Sequence, residues 1–155
     1  MSGIGFTGTR LGMTKAQLHK FTEIMLVGTD EFHHGDAIGA DTEAAAIVEV
    51  AALATEIHVH PATIRGTDIV DVDPRFVGSV TTMHYDPRPP LVRNRDIVDA
   101  TDMLIAAPAT RKEVLRSGTW ATIRYAKKMK KWIYIIYPSG HKEIIRGKIK
   151  KERTK

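Results

Sequence analysis

Two short segments bracket one apolar run: Arg93-Asn94-Arg95 precedes Met103–Pro108, and Ser117-Gly118-Thr119 follows it, each at the expected start of a helix. A helix N-terminus presents backbone N–H groups without intrahelical partners and the positive end of the macrodipole, so an anion there is favoured twice. Arginine adds a planar fork of donors matched to phosphate oxygens. Ser117 as a helix cap with Gly118 for backbone freedom accounts for the second segment taken alone. The two segments together point to a ligand carrying phosphate, with Arg93 neutralising it and Asn94, Ser117, Gly118 and Thr119 around it. A role confined to ligand contact implies that Arg93→Ala leaves stability nearly untouched.

Two further loops carry candidate binding residues. In Thr7–Gly12, Gly8 allows close backbone approach while Thr9 and Arg10 supply donors. In Gly35–Asp41, Gly35 and Gly39 suit a tight turn, and Asp36 and Asp41 either serve that turn and a helix cap or accept hydrogen bonds from ribose hydroxyls or a base edge. The spacing of Gly5, Gly8 and Gly12 departs from G-x-G-x-x-G, and His33-His34 stand where a dinucleotide site has an acidic residue. An ordinary NAD site is therefore not expected, nor is any other cofactor. His33, His34, His58 and His60 invite a metal reading, and His58 and His60 share one strand face. No carboxylate-and-histidine spacing is evident beside them, so no metal is expected. No nucleophile elbow, Walker loop or zinc-protease helix is present.

The elements that must position these loops alternate regularly. Strands are expected at Ile4–Phe6, Glu31–His34, Ile57–His60, Met103–Ala107 and Trp132–Tyr137. Thr14 with Gln17 reads as a capping box before a helix, and Asp41 as the N-cap of a helix whose Ala44, Ile47, Val48 and Ala51 recur at helical spacing. Helices also follow at Leu91–Ala100 and Thr119–Lys131. The expected fold is α/β, a Rossmann-like doubly wound, mainly parallel five-stranded sheet with helices on both faces. In such a sheet ligands sit beyond the carboxyl ends of the strands, where strand order reverses, and all four loops lie at that edge. Residues 61–90 hold five prolines and two glycines, leaving room only for brief strand pieces such as Ile69–Val72.

At 155 residues the chain fits one domain. The absence of cysteine excludes disulfides and Cys-ligated zinc or iron–sulfur centres. The net charge of +5 resides in residues 141–155, where seven basic residues face two acidic ones, so 1–140 reads as a neutral domain and 141–155 as a basic tail. Such a tail suits solvation or contact with single-stranded nucleic acid. No apolar run approaches the roughly 20 residues of a membrane span, and no charged leader precedes the first apolar run. A cytoplasmic protein without membrane contact is expected.

Arg93–Pro108 and Ser117–Ala126 resemble the SLOG superfamily, which unites the DNA-processing protein DprA (Smf) with the Lonely Guy phosphoribohydrolases. The DprA likeness is the closer one locally: an R-N-R segment, then S-G with a threonine four residues after the glycine, here Thr122. His34–Asp41 resembles that family's G-G-A-R-G-I-D loop, and Phe6–Arg10 its first phosphate loop. The likeness spans about residues 3–137. It implies a stand-alone member that binds a nucleotide or nucleoside-phosphate derivative as sensor or sequestering protein, in a homodimer. It leaves two alternatives open, a Lonely Guy-type nucleotide N-glycoside hydrolase and DprA-like single-stranded DNA binding. Hydrolase members carry P-G-G-x-G-T-x-x-E, and Arg93 matches their ligand-holding arginine. Thr122 replaces their glutamate, however, and an insertion containing Thr110–Arg116 replaces the double glycine. A threonine hydroxyl is no carboxylate acid/base, which leaves Glu113 as the one catalytic candidate.

Overall fold

The computed structural model describes residues 2–63, 70–71 and 80–148. Its elements run β1 (Gly3–Gly8), α1 (Lys15–Met25), β2 (Thr29–His34), α2 (Ala40–Val50), β3 (Ala54–Val59), β4 (Ala62–Thr63), β5 (Val70–Asp71), β6 (Thr81–His84), α3 (Pro90–Asp99), β7 (Met103–Ala107), α4 (Gly118–Lys128), β8 (Trp132–Ile136) and β9 (Lys142–Ile145). The main sheet has seven strands in the order β6-β3-β2-β1-β7-β8-β9, not the expected five. All neighbours pair in parallel except β8 and β9. The two extra strands are edges. Thr81–His84 is largely exposed and Lys142–Ile145 only half-buried, so neither carries an apolar signature.

The strand β9 also corrects the tail. Residues 138–140, read as the end of the domain, form a turn with Gly140 at φ 86°, its N–H donating to the Tyr137 carbonyl. Lys142–Ile145 then returns alongside β8. Residues 149–155 of the expected tail lie outside the described residues, as do Ile69 and Val72 of the expected strand piece in the long connection. Val70–Asp71 pairs antiparallel with Ala62–Thr63.

From the central β1, the chain winds outward through β2 and β3 with α1 and α2 on one face, then returns through β7 and β8 with α3 and α4 on the other. The buried strand β7 feeds both faces: Ile105 and Ala107 join the α1/α2 core, and Leu104 and Ala106 the α3/α4 core. Phe6, Phe21 and Phe32 pack edge-on and tilted in the first core, with centroids 5.3–6.2 Å apart. On the opposite face α3 lies close over β1, because a Cβ at Gly5 would come within 2.8 Å of Ile97.

The capping box of α1 is present, with Thr14 Oγ1 accepting from the Gln17 amide and Gln17 Oε1 from the Thr14 amide. Asp41 is not the cap of α2. Gly39 takes that position at φ 103°, and Asp41 sits inside the first turn. Gln17 does more than cap: its buried Nε2 donates to the carbonyls of Pro108 and Ile136, both at 2.9 Å, tying the ends of β7 and β8 to α1. Gln17→Leu keeps the volume and leaves both carbonyls unpaired. We expect a loss of about 2–4 kcal/mol in urea unfolding.

Candidate functional site

The reversal of strand order lies between β1 and β7, whose following loops diverge. Between them opens a cleft of about 360 Å³. Gly8 at the end of β1, Thr9 and Arg10 after it, Asp41 in α2, Arg93 and Asn94 in α3, and Ser117, Gly118 and Thr119 at the start of α4 all line it, as expected from sequence. Ser117 Oγ accepts from the Trp120 amide. Gly118 and Thr119 line the cleft, and as the first residues of α4 their amides have no intrahelical acceptor. Sequence reasoning missed the lining residues Ala37, Pro90, Leu91, Ala109, Thr110 and Val114, of which all but Thr110 add apolar wall. Leu91 and Val114 are exposed apolar side chains without a local pattern to mark them.

Other expected residues stand behind the cleft or away from it. Gly35 packs against Arg93, and a Cβ there would lie 2.3 Å from Arg93 Nη1. Gly39 lies against the Thr9 and Arg10 carbonyls, where a Cβ would meet backbone at 2.5 Å. Asp36 adopts φ 51° and donates its amide to His34 Nδ1. Thr122 lies outside the cleft, in a depression between α3 and α4, with its hydroxyl donating to the Gly118 carbonyl. Glu113 is absent from the cleft lining and pairs with Arg124 at 3.6 Å.

Arg93 is more than a ligand contact. Its side chain is buried, Nη1 donates to the carbonyls of Gly35 at 2.8 Å and His60 at 3.1 Å, and Nε donates to Asn94 Oδ1 at 2.7 Å. Beside it Asp41 Oδ2 accepts from the amides of Gly35 and Ala37 at 3.2 and 3.4 Å. Burial pushes the Asp41 carboxyl up to about 6, against the pull of Arg93, the two amides and Arg10.

A second cluster lies on the sheet face shared with α3. Register places His33 of β2 opposite His58 of β3. Their rings stack at 4.3 Å, and Glu31 joins them from two residues before His33. The missed signal is a strand period: Glu31-x-His33 and Glu56-x-His58-x-His60 each put carboxylate and imidazole on one face. Burial lowers the pKa of His33, and carries His60 to about 3 with His33 adding to it. His34 points to the other face near Phe32, also lowered to about 3 by burial and then by Arg93.

No protein-family model matches this sequence, and no curated protein matches it. Among solved structures the fold is similar to that of DNA processing protein A from Helicobacter pylori, a structure concerned with that protein's single-stranded DNA binding mode. The TM-score is 0.54 at 21% sequence identity, covering 86% of this chain and 64% of that one. The chain thus spans less than two thirds of that protein's length. The likeness shows a Rossmann-like α/β fold. Among the described residues no helix is long and apolar enough to cross a membrane.

The buried bonds of Arg93 correct the expectation that its loss spares stability. Removing a buried charged donor from two carbonyls and a side-chain amide costs about 2–3 kcal/mol. Urea unfolding of Arg93→Ala measures it. Asp41 has the opposite linkage from an ordinary carboxylate. Its folded pKa exceeds its usual 3.8, so the native state retains a proton that the unfolded chain has released. Its stabilisation is complete below about pH 4 and lost as pH rises through about 6, a span of about 2–3 kcal/mol. Asp41→Asn keeps the acceptor for the Gly35 and Ala37 amides, and its unfolding free energy between pH 4 and 7 should lack this decline.

Proposed function

We propose that the cleft binds a nucleotide or nucleoside-phosphate derivative, as sensor or sequestering protein. The observation that carries this reading is the convergence of two anion-suited elements, the N-terminus of α4 and the Thr7–Arg10 loop, on one cleft with a buried carboxylate and an apolar rim. In this reading phosphate sits on the Gly118 and Thr119 amides with Arg10 beside it, Asp41 accepts from a ribose hydroxyl or base edge, and the base lies against Leu91 and Val114. The cleft volume falls within the roughly 300–1,000 Å³ of small-molecule sites. SLOG membership, a homo-oligomeric state and a cytoplasmic location belong to the same reading.

Hydrolysis is the weaker alternative. Thr122 is engaged with the helix backbone and Glu113 with Arg124, while the carboxylate that does line the cleft, Asp41, has Oδ2 held by two amides. Single-stranded DNA binding is favoured by the fold likeness to a protein that performs it, and residues 149–155 hold four basic residues against one acidic. A tail deletion that spares β9 therefore begins at residue 149.

Calorimetric titration with nucleoside monophosphates and with a single-stranded oligonucleotide tests the reading, beside chromatography for free base. We expect saturable mononucleotide binding without base release. Arg10 lines the cleft, so Arg10→Ala should weaken binding about tenfold, near 1.4 kcal/mol. Oligonucleotide binding without mononucleotide binding favours the DNA reading, and accumulating free base favours the hydrolase.

A further inference from the structure

We propose that Glu31, His33 and His58 form a binding site for a divalent transition-metal cation, with Glu56 at its open side. Their donor atoms all lie within 4.8 Å of one another. Glu31 Oε1 stands 3.0 Å from His33 Nε2 and 3.1 Å from His58 Nε2, so two imidazole nitrogens converge on one carboxylate oxygen. Donor atoms around a tetrahedral zinc ion lie roughly 3.3 Å apart, given metal–ligand lengths of about 2.0–2.1 Å. Glu56 Oε1 approaches His58 Nε2 at 3.8 Å from a more exposed position. Two imidazoles and two carboxylates make a donor set suited to zinc, and they supply two negative charges for one divalent ion.

Protons alone do not satisfy this cluster. A hydrogen bond from His33 Nε2 to Glu31 is well formed, yet the buried Nε2 of His58, though 3.1 Å from the same oxygen, is not aligned to hydrogen-bond it. The opposite ring nitrogens are engaged as metal-ligating histidines require: His33 Nδ1 meets His60 Nε2 at 2.8 Å, and His58 Nδ1 meets the Tyr85 hydroxyl at 2.8 Å. His60 and Tyr85 stack on each other at 4.3 Å, which orients both supporting groups. The Glu31 side chain is 13% exposed and that of Glu56 35%, giving the site an approach from solvent.

The full chain, freed of metal by a chelator, is titrated with ZnCl2 by calorimetry and with CoCl2 by visible absorption. One equivalent of zinc should saturate the chain, and cobalt should give the intense visible bands of a four-coordinate ion. Tyr85→Phe preserves the ring stack and removes the hydroxyl from His58. It should weaken zinc binding about 10- to 100-fold with an unchanged circular dichroism spectrum. Glu31→Gln should abolish the stoichiometric site. Absence of one-equivalent binding by the unaltered chain overturns the proposal. So does binding that both variants leave unchanged, since it places the metal on histidines elsewhere. Should Glu31→Gln fail to fold, Tyr85→Phe and Glu56→Gln, both at more exposed positions, decide between these outcomes.

Discussion

A buried guanidinium organises the carboxyl end of the sheet. Burying a cation costs several kcal/mol unless its donors are satisfied, and Arg93 meets that requirement with the carbonyls of Gly35 and His60 and the side chain of Asn94. Those acceptors belong to the loop after β2, the end of β3 and α3, so one side chain fixes three segments that are distant in sequence. The arrangement dictates Gly35, where any Cβ would strike Arg93, and it sets the field that opposes the desolvation of Asp41. The cleft wall is therefore built on a charge the fold itself consumes. Arg10 and the first amides of α4 stand at the same cleft.

The remaining scaffold holds the two anion-suited loops on either side of the reversal between β1 and β7. Hydrogen bonds from the Thr9 amide to the Ala107 carbonyl and from the Ala40 amide to the Thr9 carbonyl tie the first loop to β7 and to α2. On the other side Trp120, largely buried, donates from its indole to Thr110 and so draws the inserted loop toward α4. Gln17 closes the construction from below by binding the carbonyls at which β7 and β8 end. The Thr9, Ala40 and Gln17 ties satisfy backbone groups beside the core, and the Trp120 tie satisfies a largely buried indole N–H, so loop placement and polar satisfaction are one requirement.

Features written in local spacing were legible in the sequence. The Thr14–Gln17 box, the Ser117 cap and the buried strands needed only periodicity and capping chemistry, and nine of the expected binding residues line the cleft because parallel strands bring their following loops to one edge. Features decided by tertiary partners were not. Asp41 has the side chain of a cap, but Gly39 at positive φ starts α2 and the carboxylate turns back to the Gly35 and Ala37 amides. Arg93 reads as a surface cation until Gly35 and His60 are placed around it. The edge strands β6 and β9 lack apolar alternation because solvent covers much of them. The spacing Glu31-x-His33 is local, but the pairing with His58 that completes the cluster is set by register between strands, which local sequence does not encode.

His60 shows how closely the two polar regions are joined. Its carbonyl accepts from Arg93 at the back of the cleft, its amide donates to the His34 carbonyl, and its ring meets His33 and stacks on Tyr85. The main chain of one residue thus helps fix the cleft, while its side chain orients a histidine of the neighbouring cluster. Parallel strands make this sharing natural, since alternate residues near their carboxyl ends point to opposite faces while the backbone serves both. On β2 the consequence is direct: His34 turns toward Phe32 and the apolar core, while His33 turns toward Glu31 and His58. A one-residue slip of β2 against β3 would turn Glu31 toward the phenylalanines and drive Phe32 into the buried histidine stack. The polar stack and the aromatic core therefore enforce the same register from opposite faces.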